Sequence, residues 1–318
     1  MRVVEVTAYG GPEVLSMARR PDPQPGEVPG KVRVQLKAAG ITIGDLRIRA
    51  GLYVDHMGGL RPPFVLGTDF AGKLLDPAPG PGGTLPVGTR VAGFMPWYEE
   101  LSGQGTYAEV IWADPEWFAP LPDDVDFTTA ASVPLAALTA LQGIELLNLP
   151  PGAVLLVTGA SGVVGRFVVQ LGAAAGLRVI AVSYEGDEHE LKILGAKECV
   201  PRGEALDVLR QVREHAPEGV DGIFDGALMG TVAMAVLKDR GVFVSFAPDR
   251  LPEPERDIRV EFDRARPDAG RLKRVLEQVA ARELITRVAD VMPLEEAAEA
   301  HRRAESGHRP GRIVLMIR

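Results

Sequence analysis

Cysteine is almost missing from this chain: Cys199 is the only one in 318 residues. A single thiol allows no intrachain disulfide and no zinc site built on several cysteines. Its neighbours Glu198, Val200 and Pro201 suit a buried structural thiol. Positive charge is short as well, with 35 Lys and Arg against 43 Asp and Glu, a net charge of -8 and a pI near 5.3. A surface of that sign repels phosphate backbones and anionic bilayers, so neither nucleic acid nor a membrane is an expected partner. No stretch approaches the roughly 18 uncharged residues of a membrane span, and no apolar leader follows Met1-Arg2, so the expected location is the cytoplasm. The histidines, His56, His189, His215, His301 and His308, offer no H-x-x-x-H pair, and no metal site is expected.

What is present is 46% hydrophobic residues, enough for two cores in a chain of two-domain length. Residues 153–176, AVLLVTGASGVVGRFVVQLGAAAG, organise it. The apolar, β-branched run 153–158 reads as a strand buried on both faces, and the spacing from Gly162 onward reads as a helix. Between them Gly159, Gly162 and Gly165 stand where a dinucleotide-binding βαβ unit needs small residues: the backbone turns sharply, a pyrophosphate approaches the helix N-terminus, and the helix packs close to the strand. Ala160, Val163 and Val164 belong to the same turn, and Ser161 adds a hydroxyl that can donate to a phosphate. A second strand, 178–183, follows as a parallel crossover requires.

The first 125 residues read as short strands and turns, with alternation at 31–37 and a Pro/Gly-rich hairpin loop at 76–83, which suggests a partly open β-barrel. A helix over 127–147, capped by Asp126 or Thr128, leads into the nucleotide domain. Beyond Ser183, helices at 187–194, 203–215 and 231–237 alternate with strands at 198–200, 222–224 and 242–246, the spacing of a doubly wound parallel sheet. The tail holds helices at 268–281 and 293–305 and a strand at 313–317, and it is expected to return to the N-terminal lobe.

Several separated segments converge on one family. AAGITIGDLRIRAGLY (38–53), PPFVLGTDFAG (62–72), GQGTYAEV (103–110), AASVPLAALTAL (130–141), the glycine turn, LGAKECV (194–200) and PLEEAAEAHRRAESGHRPGRIVL (293–315) lie in the family's order. The chain resembles the medium-chain dehydrogenase/reductases, and within them the zinc-free quinone oxidoreductases. The resemblance implies an α/β fold, with a GroES-like barrel catalytic domain over 1–125, a Rossmann NADP-binding domain over 126–259, and a C-terminal segment, 260–318, returning to the first. In the family's zinc enzymes a cysteine ligand stands at the place of Thr42 and a His-Glu pair at Thr68-Asp69, while 94–105 replaces the lobe carrying four structural cysteines. Without a metal to polarise a carbonyl, an easily reduced quinone or conjugated enone suits the site.

The resemblance also implies residue roles. Ser183-Tyr184 ends the second strand where an acid would select NAD, which leaves room for the 2′-phosphate of NADPH; Glu185 follows two positions later and suits NAD instead. Arg202, after the third strand, suits the 2′-phosphate, with a solvated loop arginine as the other reading. Thr139, Ala227, Ala247 and Arg312 complete the expected cofactor contacts. Thr42 stands where an asparagine is usual and offers one hydroxyl donor to substrate or nicotinamide. Tyr53 is a proton donor or an aromatic wall, and Asp45 and Arg49 form a buried ion pair. Phe64, Met95, Trp97 and Tyr98 are expected to line an apolar site for a small electrophilic acceptor, with exposed loop side chains of no role as the other reading. The expected assembly is a homodimer through a sheet edge near 242–246. An enoyl-thioester reductase and a non-catalytic NADPH-binding relative are the competing readings.

Overall fold

The computed structural model of the chain describes residues 1–53, 59–100, 102–307 and 310–318, with the side chain of Tyr98 outside the description. Two compact units divide it, residues 1–135 with 266–318, and residues 136–265. The divisions fall after 135 and 265, beyond the boundaries expected at 125 and 259.

In the second unit every strand is parallel. Their spatial order is Glu198–Pro201, Arg178–Ser183, Val154–Thr158, Val220–Asp225, Leu237–Ser245, Arg259–Phe262. Leu155, Leu156, Val157, Val179, Ile180 and Ala181 are fully buried, which is why these runs carry no polar alternation. The chain order reverses between Val154–Thr158 and Val220–Asp225, the switch point at which an open sheet of this kind leaves a crevice beyond its carboxyl ends. Helices Val163–Ala174, Glu188–Ile193 and Ala205–His215 provide crossovers.

Three expectations are corrected here. The segment read as a helix over 231–237 is a 3-10 helix, Gly230–Val236, and Leu237 already begins a strand. Arg256 donates to the carbonyls of Met234 (2.6 Å) and Leu237 (2.9 Å), which removes the acceptors that a continuing α-helix would use. The strand over 242–246 is interior, because Arg259–Phe262 pairs alongside it and forms the edge. The helix over 127–147 is two pieces, Phe127–Ala130 and Pro134–Leu147. Asp126 caps the first by accepting from the N–H groups of Thr128 and Thr129, both at 2.9 Å, and Pro134 fits only at the start of the second.

The first unit is built on the long strand Val32–Gly40, which pairs antiparallel with Asp69–Leu74, Val110–Ala113 and Arg312–Met316. Arg90–Phe94 and Phe118–Pro120 extend the sheet on one side, and Val288–Pro293 on the other. The tail thus pairs with the N-terminal segment, Val314 lying opposite Gly40. A Cβ on Gly40 would stand 2.3 Å from the Ala131 carbonyl oxygen, so this close approach requires glycine. The Pro/Gly-rich stretch forms the hairpin Ala78–Gly80 with Gly83–Leu85. A second small sheet joins Leu15–Arg19, Arg2–Val6 and Phe64–Val65. Among the described residues no helix is long and apolar enough to cross a membrane.

Candidate cofactor site and the buried polar chain

The glycine turn leaves the carboxyl end of Val154–Thr158 and enters Val163–Ala174. Gly159 has φ +66°, and a Cβ there would stand 2.8 Å from the Gly226 carbonyl carbon. A Cβ on Gly165 would stand 2.3 Å from the Gly159 oxygen and 2.8 Å from the Ala160 Cα, so the helix can approach the strand only without one. Gly162 meets only the Gly159 oxygen, at 3.2 Å; it is exposed and caps the helix with no side chain. The N–H groups of Val163, Val164 and Gly165 have no acceptor within the helix, and the positive end of its dipole lies there. Such an end suits a phosphate. Ala160 N–H bonds the Val182 carbonyl (2.9 Å), and Ser161 Oγ accepts from Tyr184 N–H (2.9 Å), which leaves the Ser161 proton to donate.

Residues at the ends of the next two strands gather beside this turn. Ser183 Oγ is buried without a hydrogen-bond partner. Arg202 N–H donates to the Ser183 carbonyl (2.7 Å), and its guanidinium lies 4.2 Å from the centre of the Tyr184 ring. Both Tyr184 and Arg202 are exposed. An uncapped helix end, an orphaned hydroxyl and an exposed guanidinium stacked on an aromatic ring fit the phosphates and adenosine of a nicotinamide dinucleotide.

A polar network absent from the expectations above shapes the other side. Asp225 accepts from Thr158 Oγ1 (2.5 Å) and Met229 N–H (3.1 Å) on one carboxylate oxygen and from Gly230 N–H (2.8 Å) on the other. Thr158 Oγ1 in turn accepts from Ala227 N–H (3.0 Å), and Ser245 Oγ donates to the Asp225 carbonyl (3.0 Å). The network holds the turn of residues 226–230 at the carboxyl edge, with Ala227 exposed and Ala247 buried. The signal in the sequence is that Thr158, Asp225 and Ser245 each end a strand as the polar residue directly after a short non-polar run, LLV, GIF and VFV. Thr139 is buried on Pro134–Leu147.

In the first unit Thr42 caps helix Ile43–Arg49, accepting from Asp45 N–H (3.1 Å) and donating its hydroxyl to Asp45 Oδ2 (2.8 Å). The proton expected for substrate or nicotinamide is therefore committed to Asp45, which also accepts from the N–H groups of Thr42 (2.7 Å) and Gly67 (3.2 Å). Burial pushes the Asp45 carboxyl up to about 6, against these hydrogen bonds. The expected Asp45–Arg49 ion pair is not formed. Arg49 instead pairs with Glu305, donates to the Gly10 carbonyl (3.1 Å) and lies 3.3 Å from His301 Nδ1, while His301 Nε2 lies 3.0 Å from the Tyr107 hydroxyl. Burial and Arg49 push His301 down to about 3, so the ring is neutral. A guanidinium only donates, so Nδ1 accepts and Nε2–H donates to the Tyr107 hydroxyl. The buried chain Arg49–His301–Tyr107 takes up the guanidinium in place of a direct pair with Asp45. Tyr53, half-buried, accepts from Arg47 Nη1 at 2.8 Å.

The zinc positions hold Thr42, Thr68 and Asp69. Asp69 accepts from Leu135 N–H (2.8 Å), and Arg312 Nη2 lies 3.2 Å from its other oxygen, a charge contact rather than an aligned hydrogen bond. Burial pushes Asp69 up to about 7, Arg312 opposing. Two threonines and a carboxylate already facing a guanidinium do not fit zinc, and no group of three or more His, Cys, Asp or Glu among the described residues could hold a metal ion. Arg312, expected on the cofactor, is 6% exposed and also donates to the Ile41 carbonyl (3.0 Å). Phe64, Met95 and Trp97, expected to line an apolar acceptor site or to be exposed loop side chains, are 1%, 2% and 0% exposed. They pack in the unit's core, with the Phe64 and Trp97 rings 5.8 Å apart. The Tyr98 side chain, His56 and His308 lie outside the described residues.

Comparison with known proteins agrees with this architecture. Two family models match, an alcohol dehydrogenase GroES-like domain over residues 28–123 and a zinc-binding dehydrogenase over 194–315. Pikromycin polyketide synthase component PikAII of Streptomyces venezuelae is 36% identical over 169 residues, 52% of this chain and 4% of that protein. A mouse synaptic vesicle membrane protein VAT-1 homolog-like is 28% identical over 79% of this chain, which spans 57% of its length. Among solved structures, an NAD-dependent alcohol dehydrogenase is 30% identical with a TM-score of 0.84, each chain covered in full. Two mycobacterial structures, a quinone oxidoreductase and one complexed with NADPH, are both 28% identical over 99% of this chain and 99% and 100% of theirs, with TM-scores of 0.76 and 0.82. The likeness runs through both units, and the chain belongs to the medium-chain dehydrogenase/reductase superfamily of oxidoreductases, with the superfamily's nicotinamide-dinucleotide-binding fold.

Proposed function

We propose that the chain is a zinc-independent, NADPH-dependent oxidoreductase that passes a hydride to a quinone or an α,β-unsaturated carbonyl compound. The observation that carries this reading is the group at the strand ends: the orphaned Ser183 hydroxyl with the Tyr184–Arg202 stack, and no acid as the last residue of the second strand. An exposed guanidinium offers a forked donor to a 2′-phosphate dianion, and NAD lacks that group. The mycobacterial neighbour complexed with NADPH supports the same choice.

The nicotinamide, when bound, supplies the hydride; the protein binds, orients and provides protons. The turn at Gly159, Gly162 and Gly165 holds the pyrophosphate on the helix N–H groups. The Thr158–Asp225–Ser245 network fixes the turn bearing Ala227. Tyr53 is the proton donor in this reading, with the Arg47 cation on its oxygen to meet the negative charge that proton loss would leave there. Thr42, its proton spent on Asp45, orients the helix that carries Arg47. With no fit for zinc, the acceptor must be electron-poor beforehand, as quinones and enones are. A homodimer would pair through the Arg259–Phe262 edge; a monomer in sedimentation velocity at micromolar concentration would refute it.

Similarity to polyketide synthases favours enoyl thioesters as a second acceptor class. The test is oxidation of NADPH and NADH by the purified protein, without added zinc, against a quinone, a 2-alkenal and an enoyl thioester. NADPH turnover with the first two supports the proposal; turnover with the thioester alone transfers it to the second reading. Arg202→Ala is expected to weaken NADPH binding about tenfold or more and leave NADH unchanged, on the scale of a charge-assisted contact. Equal loss for both cofactors would refute the assignment of the 2′-phosphate.

A further inference from the structure

Asp263 directly follows the edge strand Arg259–Phe262, and its N–H continues the sheet to the Ser245 carbonyl (2.9 Å). Its side chain is buried, with the residue 2% exposed, yet neither carboxyl oxygen has a hydrogen-bond partner. It faces Gly143 of Pro134–Leu147: a Cβ there would stand 3.0 Å from Asp263 Oδ2 and 2.3 Å from the Phe224 ring. The carboxyl therefore lies in a slot that exists because position 143 has no side chain. Gly143 is one helical turn from Thr139, on the same face of the helix. The space at Gly143 is bounded by both Asp263 Oδ2 and the Phe224 ring, the Asp263 backbone bonds Ser245, and burial alone pushes its carboxyl up to about 7. A buried carboxyl with no partner is costly, and this one lies just past the carboxyl end of the outermost strand.

The rest of the sheet says which part of a dinucleotide reaches it. Phosphates belong at the glycine turn, and Ser183, Tyr184 and Arg202 lie over the two strands on one side of the switch point. The other half of an extended dinucleotide then runs over the ends of Val220–Asp225, Leu237–Ser245 and Arg259–Phe262. That half is the nicotinamide, which carries a carboxamide with two N–H donors and, when oxidised, a positive ring.

We propose that Asp263 is a positioning residue for the nicotinamide, accepting a hydrogen bond from its carboxamide and favouring the oxidised over the reduced ring by its negative charge. The inference rests on the dinucleotide reading above. It makes Asp263 a group that holds the ring's orientation and also promotes the change of charge that accompanies hydride departure.

The test is calorimetric titration of wild type, Asp263→Asn and Asp263→Ser with 2′,5′-ADP, NADP+ and NADPH at pH 8.5, where the carboxyl is ionised. The fragment 2′,5′-ADP has no nicotinamide, so it is expected to bind all three proteins alike, and that binding reports a folded unit. The preference for NADP+ over NADPH is expected to fall about tenfold in both variants, a charge interaction worth one pKa unit. Phosphates are common to the two cofactors and cancel in the ratio. A ratio unchanged in either variant that still binds 2′,5′-ADP overturns the inference and leaves the dinucleotide reading standing. If wild type binds none of the three ligands, the dinucleotide reading itself fails and the inference goes with it.

Discussion

Replacing Asp263 by asparagine should make the second unit more stable, and by an amount that depends on pH. An aspartate in the unfolded chain loses its proton near 3.8, whereas burial holds the proton on Asp263 up to about 7. Between those values the folded state binds more protons than the unfolded, so stability falls as pH rises through the window, and the loss is complete above pH 7. The whole span corresponds to about 4 kcal/mol, of which about 2–3 kcal/mol lies between pH 5 and pH 8. Asparagine has nearly the same shape and never ionises. The free-energy difference between variant and wild type should therefore shift in the variant's favour by about 2–3 kcal/mol over that interval. Asp45 and Asp69, also held up by burial, titrate in both proteins and cancel. Trp97, Trp112 and Trp117 all belong to the first unit, so urea unfolding at stepped pH is best followed by circular dichroism. A difference that stays flat from pH 5 to pH 8 would refute the reasoning, because the carboxyl would then have a partner when folded.

Gly165→Ala places a methyl 2.3 Å from the Gly159 oxygen, so the helix start must move; calorimetry is expected to show at least a tenfold loss of NADPH affinity, with a stability cost of about 1–3 kcal/mol. His301 is held down to about 3 from its usual 6.5, so the folded state binds fewer protons than the unfolded in that range and stability is lost as pH falls through it. His301→Gln should flatten this acid limb, read by tryptophan fluorescence in urea from pH 6.5 to pH 4; an unaltered limb would refute a neutral, buried ring.

The parts of the fold legible in sequence were those that burial writes as composition. Val154–Thr158 and Arg178–Ser183 are covered on both faces and read as unbroken apolar runs, and Gly159 and Gly165 are glycine because backbone atoms leave no room for a Cβ. Arg259–Phe262 was missed because its four residues are only partly buried or exposed, so no apolar run marks it. Partners of polar groups were read least well. The family segment implies a pair between Asp45 and Arg49, yet Arg49 bonds His301 and Glu305, 252 and 256 residues away, and nothing in local spacing encodes such partners. Met95 and Trp97 suggest cleft residues because their segment stands in place of a zinc lobe, but they pack with Phe64 in the first unit's core.

The position of Arg312 leads to a last prediction. In a zinc site three or four ligands turn lone pairs to one point. Here Asp69 gives one oxygen to Leu135 N–H and turns the other to a guanidinium at 3.2 Å, so a cation's place beside this carboxylate is already taken by a side chain. A dication brought there would meet Arg312 at close range and find two threonine hydroxyls in place of thiolate and imidazole, one of them already bonded to Asp45. Zinc at 100 μM is therefore expected to leave the unfolding free energy of the first unit unchanged. A site with micromolar affinity would add about 2.7 kcal/mol under that condition, and one of millimolar affinity less than about 0.1 kcal/mol. Urea unfolding followed by tryptophan fluorescence, with and without zinc, separates these cases, since all the tryptophans report the unit in question. A zinc-dependent gain above about 1 kcal/mol, lost in Asp69→Asn, would overturn both the metal-free reading and the restriction to electron-poor acceptors drawn from it.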